Sequence, residues 1–189
     1  MNKYEIRTAN KKSAIMEATL ALINENGLSA ASMKQIANRA NVSPVSIYNY
    51  YGSKENLVLE CIQYIFTENF KTARNILESD LPFEKKLTNA LSLCTDNTAV
   101  SLSEYFSTIS LAEKDFIKII DKGQREIQRN LYRDFIEEGK KEGAIDTSIP
   151  TETILKFFDS INNIPLDPDH LKSEIHHLHN LLLHGILIH

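Results

Sequence analysis

Small and polar residues around a proline offer the most specific chemistry in this sequence. The positions are Pro44, Val45, Ser46 and Asn49. They begin a short helical pattern whose opposite side carries Ile47 and Tyr51. A short helix with such residues at its amino-terminal end can enter the major groove of DNA, where side chains contact base edges. The pattern therefore indicates reading of double-stranded DNA, although any one position alone could be an ordinary surface residue.

The distribution of charge supports a polyanionic partner at one end of the chain. The net charge of the whole chain is −4, which by itself argues against nucleic acid. Residues 1–54 nevertheless carry seven basic and three acidic side chains, a net charge of +4, which leaves −8 for the remaining residues. A basic head on an acidic body is expected where only one part meets phosphate. Chance fluctuation over so short a window remains an alternative.

The histidines form the only cluster that suggests metal or acid–base chemistry. All six lie near the end of the sequence: His170, His176, His177, His179, His184 and His189. Some of them share one helix face, so a metal site or a pH-responsive interface stays open. Cysteine and carboxylate ligands with metal spacing are missing nearby, although Glu174 lies close to His177. Partly exposed interface residues explain the histidines more simply, and we predict no metal and no cofactor.

Motifs for catalysis, targeting or membrane insertion are missing from the sequence. It has no nucleophile elbow, phosphate loop, His-Glu-x-x-His or Cys-x-x-Cys pattern, so we expect no enzyme. Cys61 and Cys94 do not suggest a disulfide framework. The first residues are polar and basic, and the apolar tail is too short to span a bilayer. We therefore expect a reduced, cytoplasmic protein with no membrane partner.

Helical spacing of apolar residues predicts an all-α fold. The chain has only 6 Gly and 5 Pro in 189 residues, so the elements should be long. The pattern predicts helices over about residues 8–26, 33–40, 44–51, 53–77, 82–95, 100–112 and 115–141, then around 154–161 and from about 169 to the end. The helix over 115–141 has the clearest apolar face, formed by Phe116, Ile120, Gly123, Ile127, Leu131 and Phe135.

Capping residues mark the ends of the first helices. Helix ends are predicted at Gly27 and Gly52, and helix starts at Ser32, Ser43 and Ser53. Ser32 and Gln35 have the spacing of a capping box. Pro44 suits the first position of a helix, where its missing N–H costs nothing. Two short helices joined by a three-residue turn, after a longer helix, predict a helix-turn-helix. A three-helix core piece without a DNA role is the alternative.

The segment Ile36–Leu57 resembles the signature of TetR-type repressors. It reads IANRANVSPVSIYNYYGSKENL, and the family pattern is roughly I-A-x-x-A-G-V-S-x-G-T-L-Y-x-Y-F-x-S-K-E-x-L. The resemblance covers about residues 10–60, since earlier positions also match: Ala18, Leu22, Gly27, Ser32 and Met33. It implies a three-helix DNA-binding domain followed by a helical bundle for effector binding and dimerisation. We place these domains at residues 1–52 and 53–189.

The resemblance implies DNA contacts at particular positions. Those expected to touch phosphate or lie along the backbone are Ser32, Lys34, Tyr48, Tyr50 and Lys54, with Lys11 and Lys12 as a basic arm. Those expected to read or match the major groove are Pro44, Val45, Ser46 and Asn49. The family's turn glycine is replaced by Asn41, which tolerates a left-handed φ. The bulk of Val45 suggests an apolar contact with a thymine methyl group, which affects the operator sequence rather than the docking mode.

The resemblance also implies a small-molecule effector behind the DNA-binding domain. Candidate pocket residues are the aromatic side chains Tyr64, Phe66, Phe70, Tyr105, Phe106, Phe116, Tyr132 and Phe158. For each of them, plain core packing is the commoner explanation. No polar cluster indicates a ligand, so the identity of an effector stays open.

The apolar end of the chain predicts a dimer interface. Its candidate residues are Phe157, Leu171, Ile175, Leu178, Leu182 and Ile186. A helix this apolar should be buried, and a second subunit is its natural cover, with burial inside one subunit as the alternative. We predict a ligand-responsive repressor that binds a palindromic operator as a homodimer. A helical adaptor protein with a non-functional DNA-binding head is the alternative function.

Overall fold

A computed structural model describes residues 2–96 and 102–161, together with residues 173–174, 177–178, 180–181 and 185. Every regular element in these ranges is helical, so the predicted all-α fold is confirmed. The helices are α1 (Lys3–Asn26), α2 (Met33–Arg39), α3 (Pro44–Tyr51), α4 (Lys54–Asn69), α5 (Lys71–Leu77), α6 (Phe83–Asp96), α7 (Thr108–Leu111), α8 (Lys114–Lys141) and α9 (Thr151–Ile161), with a 3-10 turn over Leu102–Glu104. The helix predicted from about residue 169 lies largely outside the described residues.

The chain divides into two compact units. Unit 1 comprises residues 1–68 and 101–127, and unit 2 comprises residues 69–100 and 128–189. Unit 1 therefore adds α4, α7 and the first half of α8 to the predicted helix-turn-helix. The division into residues 1–52 and 53–189 is a functional one and remains a prediction, whereas packing alone groups the chain differently.

Apolar residues at helical spacing build the core of unit 1. The fully buried side chains include Ile15, Ile23, Ile36, Ile47, Leu57, Val58, Ile62, Phe116 and Ile120. The aromatic rings of Phe106 and Phe116 meet edge to face, with their centroids 5.1 Å apart. Because α1, α2, α3, α4 and α8 all contribute to this core, the short helices α2 and α3 are held by tertiary packing rather than by their own propensity.

A second apolar cluster forms the core of unit 2. Its buried members are Leu77, Phe83, Leu87, Leu131, Phe135, Ile136, Ile145, Ile154 and Leu155. At its edge the Lys86 ammonium lies 3.4 Å from carboxylate oxygens of both Glu138 and Glu142. The Lys86 side chain is almost fully buried, and a buried ammonium requires such partners. The first half of the apolar face predicted for α8 thus packs in the core of unit 1, and the second half packs in the core of unit 2.

The single helix predicted over residues 53–77 is wrong, because the chain forms two helices there. α4 ends at Asn69 and α5 starts at Lys71. Phe70, between them, has φ −85° and ψ 5°, which leaves the α-helical region. Phe66 is buried in unit 1, whereas Phe70 packs against the core of unit 2. The interruption therefore lies where the chain passes from one core to the other, which periodicity does not reveal.

The helix predicted over residues 100–112 is also wrong. The described part of this range holds only the 3-10 turn and the four-residue helix α7. Ser107 begins α7, because its hydroxyl accepts a hydrogen bond from the Ser110 N–H at 3.3 Å. The Ser107 N–H donates to the side-chain oxygen of Asn24 in α1 at 3.1 Å. Contacts with a distant helix thus override the weak helical pattern.

Candidate nucleic-acid interface

The helix-turn-helix is built by caps and by two anchoring side chains. Ser43 accepts a hydrogen bond from the Ser46 N–H at 3.2 Å, with Pro44 in the first turn of α3. Asn41 has a φ of 54°, the left-handed conformation predicted for the turn. Ile47 and Tyr51 of α3 are 0% and 5% exposed. The side of α3 that carries Ile47 and Tyr51 therefore faces the core. The helical repeat then determines which residues of α3 face outward.

The outer side of this segment carries the residues predicted to contact DNA. Exposed residues are Ser32, Lys34, Pro44, Val45, Tyr48 and Asn49, and half-buried residues are Ser46, Tyr50 and Lys54. Val45 and Tyr48 are 66% and 51% exposed, so both side chains are available to a partner surface. All nine positions belong to unit 1, so one compact body presents them. Their individual DNA contacts remain predictions.

Two of the predicted contact residues already use their hydroxyl groups within the protein. Ser32 and Gln35 form the predicted capping box: the Ser32 N–H donates to the Gln35 side-chain oxygen at 2.9 Å, and the Gln35 N–H donates to Ser32 Oγ at 3.3 Å. Ser46 Oγ lies 2.9 Å from Ser43 Oγ. The Ser32 hydroxyl also donates to the Gln35 side-chain oxygen at 2.6 Å, so a hydrogen bond from Ser32 Oγ to a phosphate would have to replace this one. The Ser46 hydroxyl can donate to a phosphate or a base when Ser43 is the donor of their pair.

Lys54 has a structural role that sequence reasoning missed. Its ammonium donates hydrogen bonds to the carbonyl oxygens of Leu28 and Ala31, both at 2.6 Å. Partial burial lowers the pKa of the Lys54 ammonium, opposed by the negative charge of Glu113. Two of its three N–H groups are thus engaged inside the protein, and one is left for a phosphate. Lys54 first of all ties the start of α4 to the loop between α1 and α2.

Lys12 contacts the aromatic end of α3. Its ammonium lies 6.0 Å from the ring centroid of Tyr50, 5.3 Å from that of Tyr51 and 3.6 Å from a carboxylate oxygen of Glu60. These distances fit cation–π attraction supported by an ion pair. The predicted phosphate contact of Lys12 therefore competes with contacts inside unit 1.

Two residues that sequence reasoning missed, Glu113 and Asn24, form long-range hydrogen bonds near the loop between α1 and α2. The Glu113 carboxylate accepts the Ser29 N–H at 3.0 Å and also contacts the Ser29 hydroxyl. The Asn24 amide donates to the Tyr105 carbonyl at 2.9 Å. Glu113 and Asn24 look like ordinary surface residues in the sequence, because their partners lie about eighty positions away. Glu113 positions the loop that precedes α2 and accepts the hydrogen bonds of Lys54, whereas Asn24 joins the end of α1 to the segment before α7.

The predicted effector-pocket residues are divided between the two units. Unit 1 holds Tyr64, Phe66, Tyr105, Phe106 and Phe116, and unit 2 holds Phe70, Tyr132 and Phe158. In unit 1, three of them are buried core residues, which agrees with the alternative explanation of core packing: Phe66, Phe106 and Phe116. In unit 2, the half-buried rings of Tyr132 and Phe158 meet edge to face with centroids 5.0 Å apart. The Gln128 amide donates to the Tyr132 hydroxyl at 2.6 Å.

An open groove of about 760 Å³ lies elsewhere in unit 2. It runs along the connection between α5 and α6 and the end of α8, and its lining is mainly charged: Glu78, Asp80, Lys86, Asp134, Glu137, Glu138, Lys141 and Glu142. None of the predicted aromatic residues lines it. Several of the charged groups pair with one another, as Lys141 does with Glu138 at 3.5 Å, so the groove has the character of a solvated surface.

Most of the predicted dimer interface lies outside the described residues. Leu171, Ile175, Leu182 and Ile186 belong to this part of the chain. Phe157 in α9 is 49% exposed, and Leu178 is half-buried. His177 is exposed, and the other five histidines lie outside the described residues. An exposed phenylalanine on an otherwise amphipathic helix is compatible with an interface, and the dimer remains a prediction.

Metal sites and membrane-spanning helices are two other features that a chain of this kind could carry. Among the described residues, no group of three or more His, Cys, Asp or Glu side chains is placed to hold a metal ion. Over the same residues, the structure contains no helix of the length and hydropathy needed to cross a bilayer.

Taken together, a three-helix segment packed on a common core, a capped third helix and its exposed amino-terminal side define a helix-turn-helix DNA-binding protein. Residues 15–61 match the family model described as "Bacterial regulatory proteins, tetR family". Residues 15–61 therefore form a TetR-family DNA-binding domain, and the chain is similar to DNA-binding transcriptional regulators along most of its length.

Relatives along most of the chain agree with this assignment. The HTH-type transcriptional regulator YhgD of Bacillus subtilis is 26% identical over 147 residues, 76% of either chain. The HTH-type transcriptional repressor KstR2 of Rhodococcus jostii is 24% identical over 157 residues, which cover 79% of this chain and 74% of the relative. A solved structure of the TetR family regulator CifR, with operator DNA, shares the fold at a TM-score of 0.61. It is 14% identical, over 92% of this chain and 98% of that chain.

Proposed function

We propose that this protein is a ligand-responsive repressor that binds a palindromic operator as a homodimer in the cytoplasm. The observation that carries the proposal is the exposed amino-terminal side of α3, a helix that the buried side chains of Ile47 and Tyr51 anchor to the core. Val45 and Asn49 would face base edges, and Tyr48 would lie along the backbone. We propose no catalytic activity, because the proposed function consists of binding DNA and involves no chemical reaction.

Repression is the regulatory output that the relatives favour. Curated relatives that include KstR2 and KstR are named transcriptional repressors. A dimer that covers a promoter blocks polymerase without any further contact, so DNA binding alone suffices for this output. Two copies of α3 in a symmetric dimer would contact half-sites about 34 Å apart, or multiples of that distance, which requires a palindromic operator.

An effector would act on the head by stabilising one of two states of the protein. A ligand shifts such an equilibrium only when it binds one state more tightly than the other. Within unit 2, the half-buried residues Phe70, Tyr132 and Phe158 are the predicted pocket residues that still offer surface to a ligand. We propose an apolar ligand there, with the Gln128–Tyr132 hydrogen bond as its polar contact. The buried rings of unit 1 are assigned to its core.

Selection of duplexes from a random DNA pool by the purified protein tests the proposal. We expect an enriched palindrome, and an affinity for it that falls steeply as salt rises, because phosphate contacts release counterions. Light scattering on the free protein should give the mass of a dimer. A pool that stays random would overturn the proposal, and so would a monomer that binds a single asymmetric site.

A further inference from the structure

Glu113 directly precedes α8, yet its side chain bonds to a distant loop. Its carbonyl oxygen accepts the Ile117 N–H at 3.1 Å, so the residue takes the N-cap position of α8. Short side chains such as Ser, Thr, Asp and Asn are preferred there, because they can accept an N–H of the first turn. The longer Glu113 side chain instead reaches Ser29, in the loop between α1 and α2. A residue that suits its own helix end poorly therefore forms a long-range contact within unit 1.

The backbone of this loop is bound by one acidic and one basic side chain. The Glu113 carboxylate accepts the Ser29 N–H at 3.0 Å. The Lys54 ammonium donates to the carbonyl oxygens of Leu28 and Ala31 at 2.6 Å each. Backbone groups outside regular helices need such partners, and hydrogen bonds to charged groups are stronger than neutral ones. Glu113 and Lys54 together therefore fix the path of the loop.

Gly27 makes room for the Glu113 carboxylate at the end of α1. Its φ of 84° lies in the left-handed region that favours glycine. A Cβ atom at this position would lie 3.2 Å from Cδ of Glu113 and would overlap one of its carboxylate oxygens. The carboxylate thus occupies space that a side chain at position 27 would fill. The contact with Ser29 depends on Gly27 as well as on Glu113.

The loop leads directly to two residues predicted to contact phosphate. Ser32, the N-cap of α2, follows Ala31, and Lys54 bonds to Ala31 itself. A displacement of Ala31 would therefore move both predicted phosphate contacts. The recognition helix α3 is anchored separately, through the buried side chains of Ile47 and Tyr51. The position of the loop can thus affect phosphate contacts without changing the residues that face the bases.

We propose that Glu113 is a positioning residue for DNA binding, which strengthens operator binding although its own charge repels phosphate. It acts through the loop between α1 and α2 and holds Ser32 and Lys54 where they reach the phosphate backbone. The inference rests on the proposed function. Phosphate contacts fix a protein on the duplex without reading its sequence, so Glu113 contributes affinity and salt dependence but no base preference.

Two substitutions separate the reach of Glu113 from its charge. Glu113→Gln removes the charge but keeps an oxygen that can accept the Ser29 N–H. Glu113→Asp keeps the charge, but its side chain is one methylene shorter and suits the N-cap of α8, so it leaves Ser29 while the helix stays capped. A matched control, Asp115→Asn, removes the charge of an exposed carboxylate that pairs with Lys118 at 2.8 Å.

Each protein is titrated over a salt series with the duplex selected by the wild type and with a scrambled duplex of the same length. We expect Glu113→Asp to bind the selected duplex about ten-fold more weakly than the wild type at about 0.1 M salt, the effect of one lost phosphate contact. The slope of log affinity against log salt should become shallower by about 0.9. Glu113→Gln and Asp115→Asn should bind at least as tightly as the wild type, since each loses only a repulsive charge. The preference for the selected duplex should be unchanged in all three variants.

Wild-type affinity of Glu113→Asp would overturn the proposal, because the reach of the side chain would then be unimportant. Weaker binding with an unchanged salt slope would overturn it as well, since no phosphate contact would have been lost. Urea unfolding of each variant gives its folded fraction, so that affinities refer to folded protein only. A wild-type protein that selects no duplex fails the proposed function itself, which is a separate result.

Discussion

Val45 is the residue at which this chain departs most visibly from the pattern it resembles. Its side chain is 66% exposed at the start of α3, where the family pattern has glycine. The two methyl groups of this side chain are exposed to solvent, so they do not stabilise α3 by burial. They suit an apolar contact such as a thymine methyl group in the major groove. Val45 is therefore exposed as a reading position requires, and its contact with a base stays a prediction.

Lys54 allows structural and DNA-contact roles to be separated. Replacing Lys54 by Met leaves the carbonyl oxygens of Leu28 and Ala31 without their donor. We expect a loss of about 1–3 kcal/mol in the free energy of unfolding, measured with urea. The matched control Lys34→Met removes the same charge from an exposed position, and we expect it to change stability by under about 0.5 kcal/mol. Equal stabilities of the two variants would contradict the structural role of Lys54.

Cys61 should be chemically inert in the folded protein. Burial raises the pKa of its thiol to about 12, with the charge of Glu60 adding to the effect. In a Cys94→Ser background we expect no iodoacetamide labelling at pH 8 without denaturant, and rapid labelling in urea. A raised folded-state pKa also means that the stabilising effect of this buried thiol is complete below the unfolded pKa near about 8.5 and falls as pH rises towards 12. Fast labelling of the native protein would show that unit 1 opens.

At the scale of the elements, most of the features that could be predicted from the sequence depend on interactions between neighbouring residues. The caps at Ser32, Ser43 and Ser53, the turn at Asn41 and the ends at Gly27 and Gly52 were all predicted, because each depends on a few neighbouring residues. The break at Phe70 and the short α7 were not predicted. Both depend on contacts across distant parts of the chain, to which helical periodicity does not respond.

The cap of α3 should be necessary for the stability of the recognition helix. Ser43→Ala removes the acceptor of the Ser46 N–H and should cost about 1 kcal/mol of unfolding free energy. Ser43→Asn keeps a capping oxygen without adding charge near DNA, so it should restore both stability and operator affinity. Urea unfolding and operator titration measure the two quantities. Identical behaviour of the Ala and Asn variants would mean that the cap is unimportant.

Gly123 sets how closely α4 and α8 approach within unit 1. A Cβ atom at this position would lie 2.7 Å from Cγ2 and 3.2 Å from Cβ of Ile62. We expect Gly123→Ala to lower the free energy of unfolding by about 1–2 kcal/mol, because overpacking outweighs the better helix propensity of alanine. In an Ile62→Ala background, which makes room, this loss should disappear. The same loss in both backgrounds would exclude the contact as its cause.

At the scale of the whole molecule, packing groups the chain into two units with separate cores, and the functional division into residues 1–52 and 53–189 stays a prediction. The aromatic residues proposed for a pocket are divided between the two units, and those of unit 1 are largely core. The sequence could not show this division, since every one of these rings fits both a core and a pocket. By contrast, the helix-turn-helix is a local motif, so its helices, caps and turn could be predicted from neighbouring residues, while the individual DNA contacts stay predictions.

The central claim is that α3 reads operator bases as part of a symmetric dimer. The most direct test repeats the selection from a random DNA pool with the wild type and with Val45→Ala in parallel. We predict a palindrome for both proteins, with base preference lost in the variant at one pair of symmetry-related positions and a cost of about 1–3 kcal/mol at each. An unchanged consensus and unchanged affinity for Val45→Ala would contradict the claim that this side of α3 faces the bases.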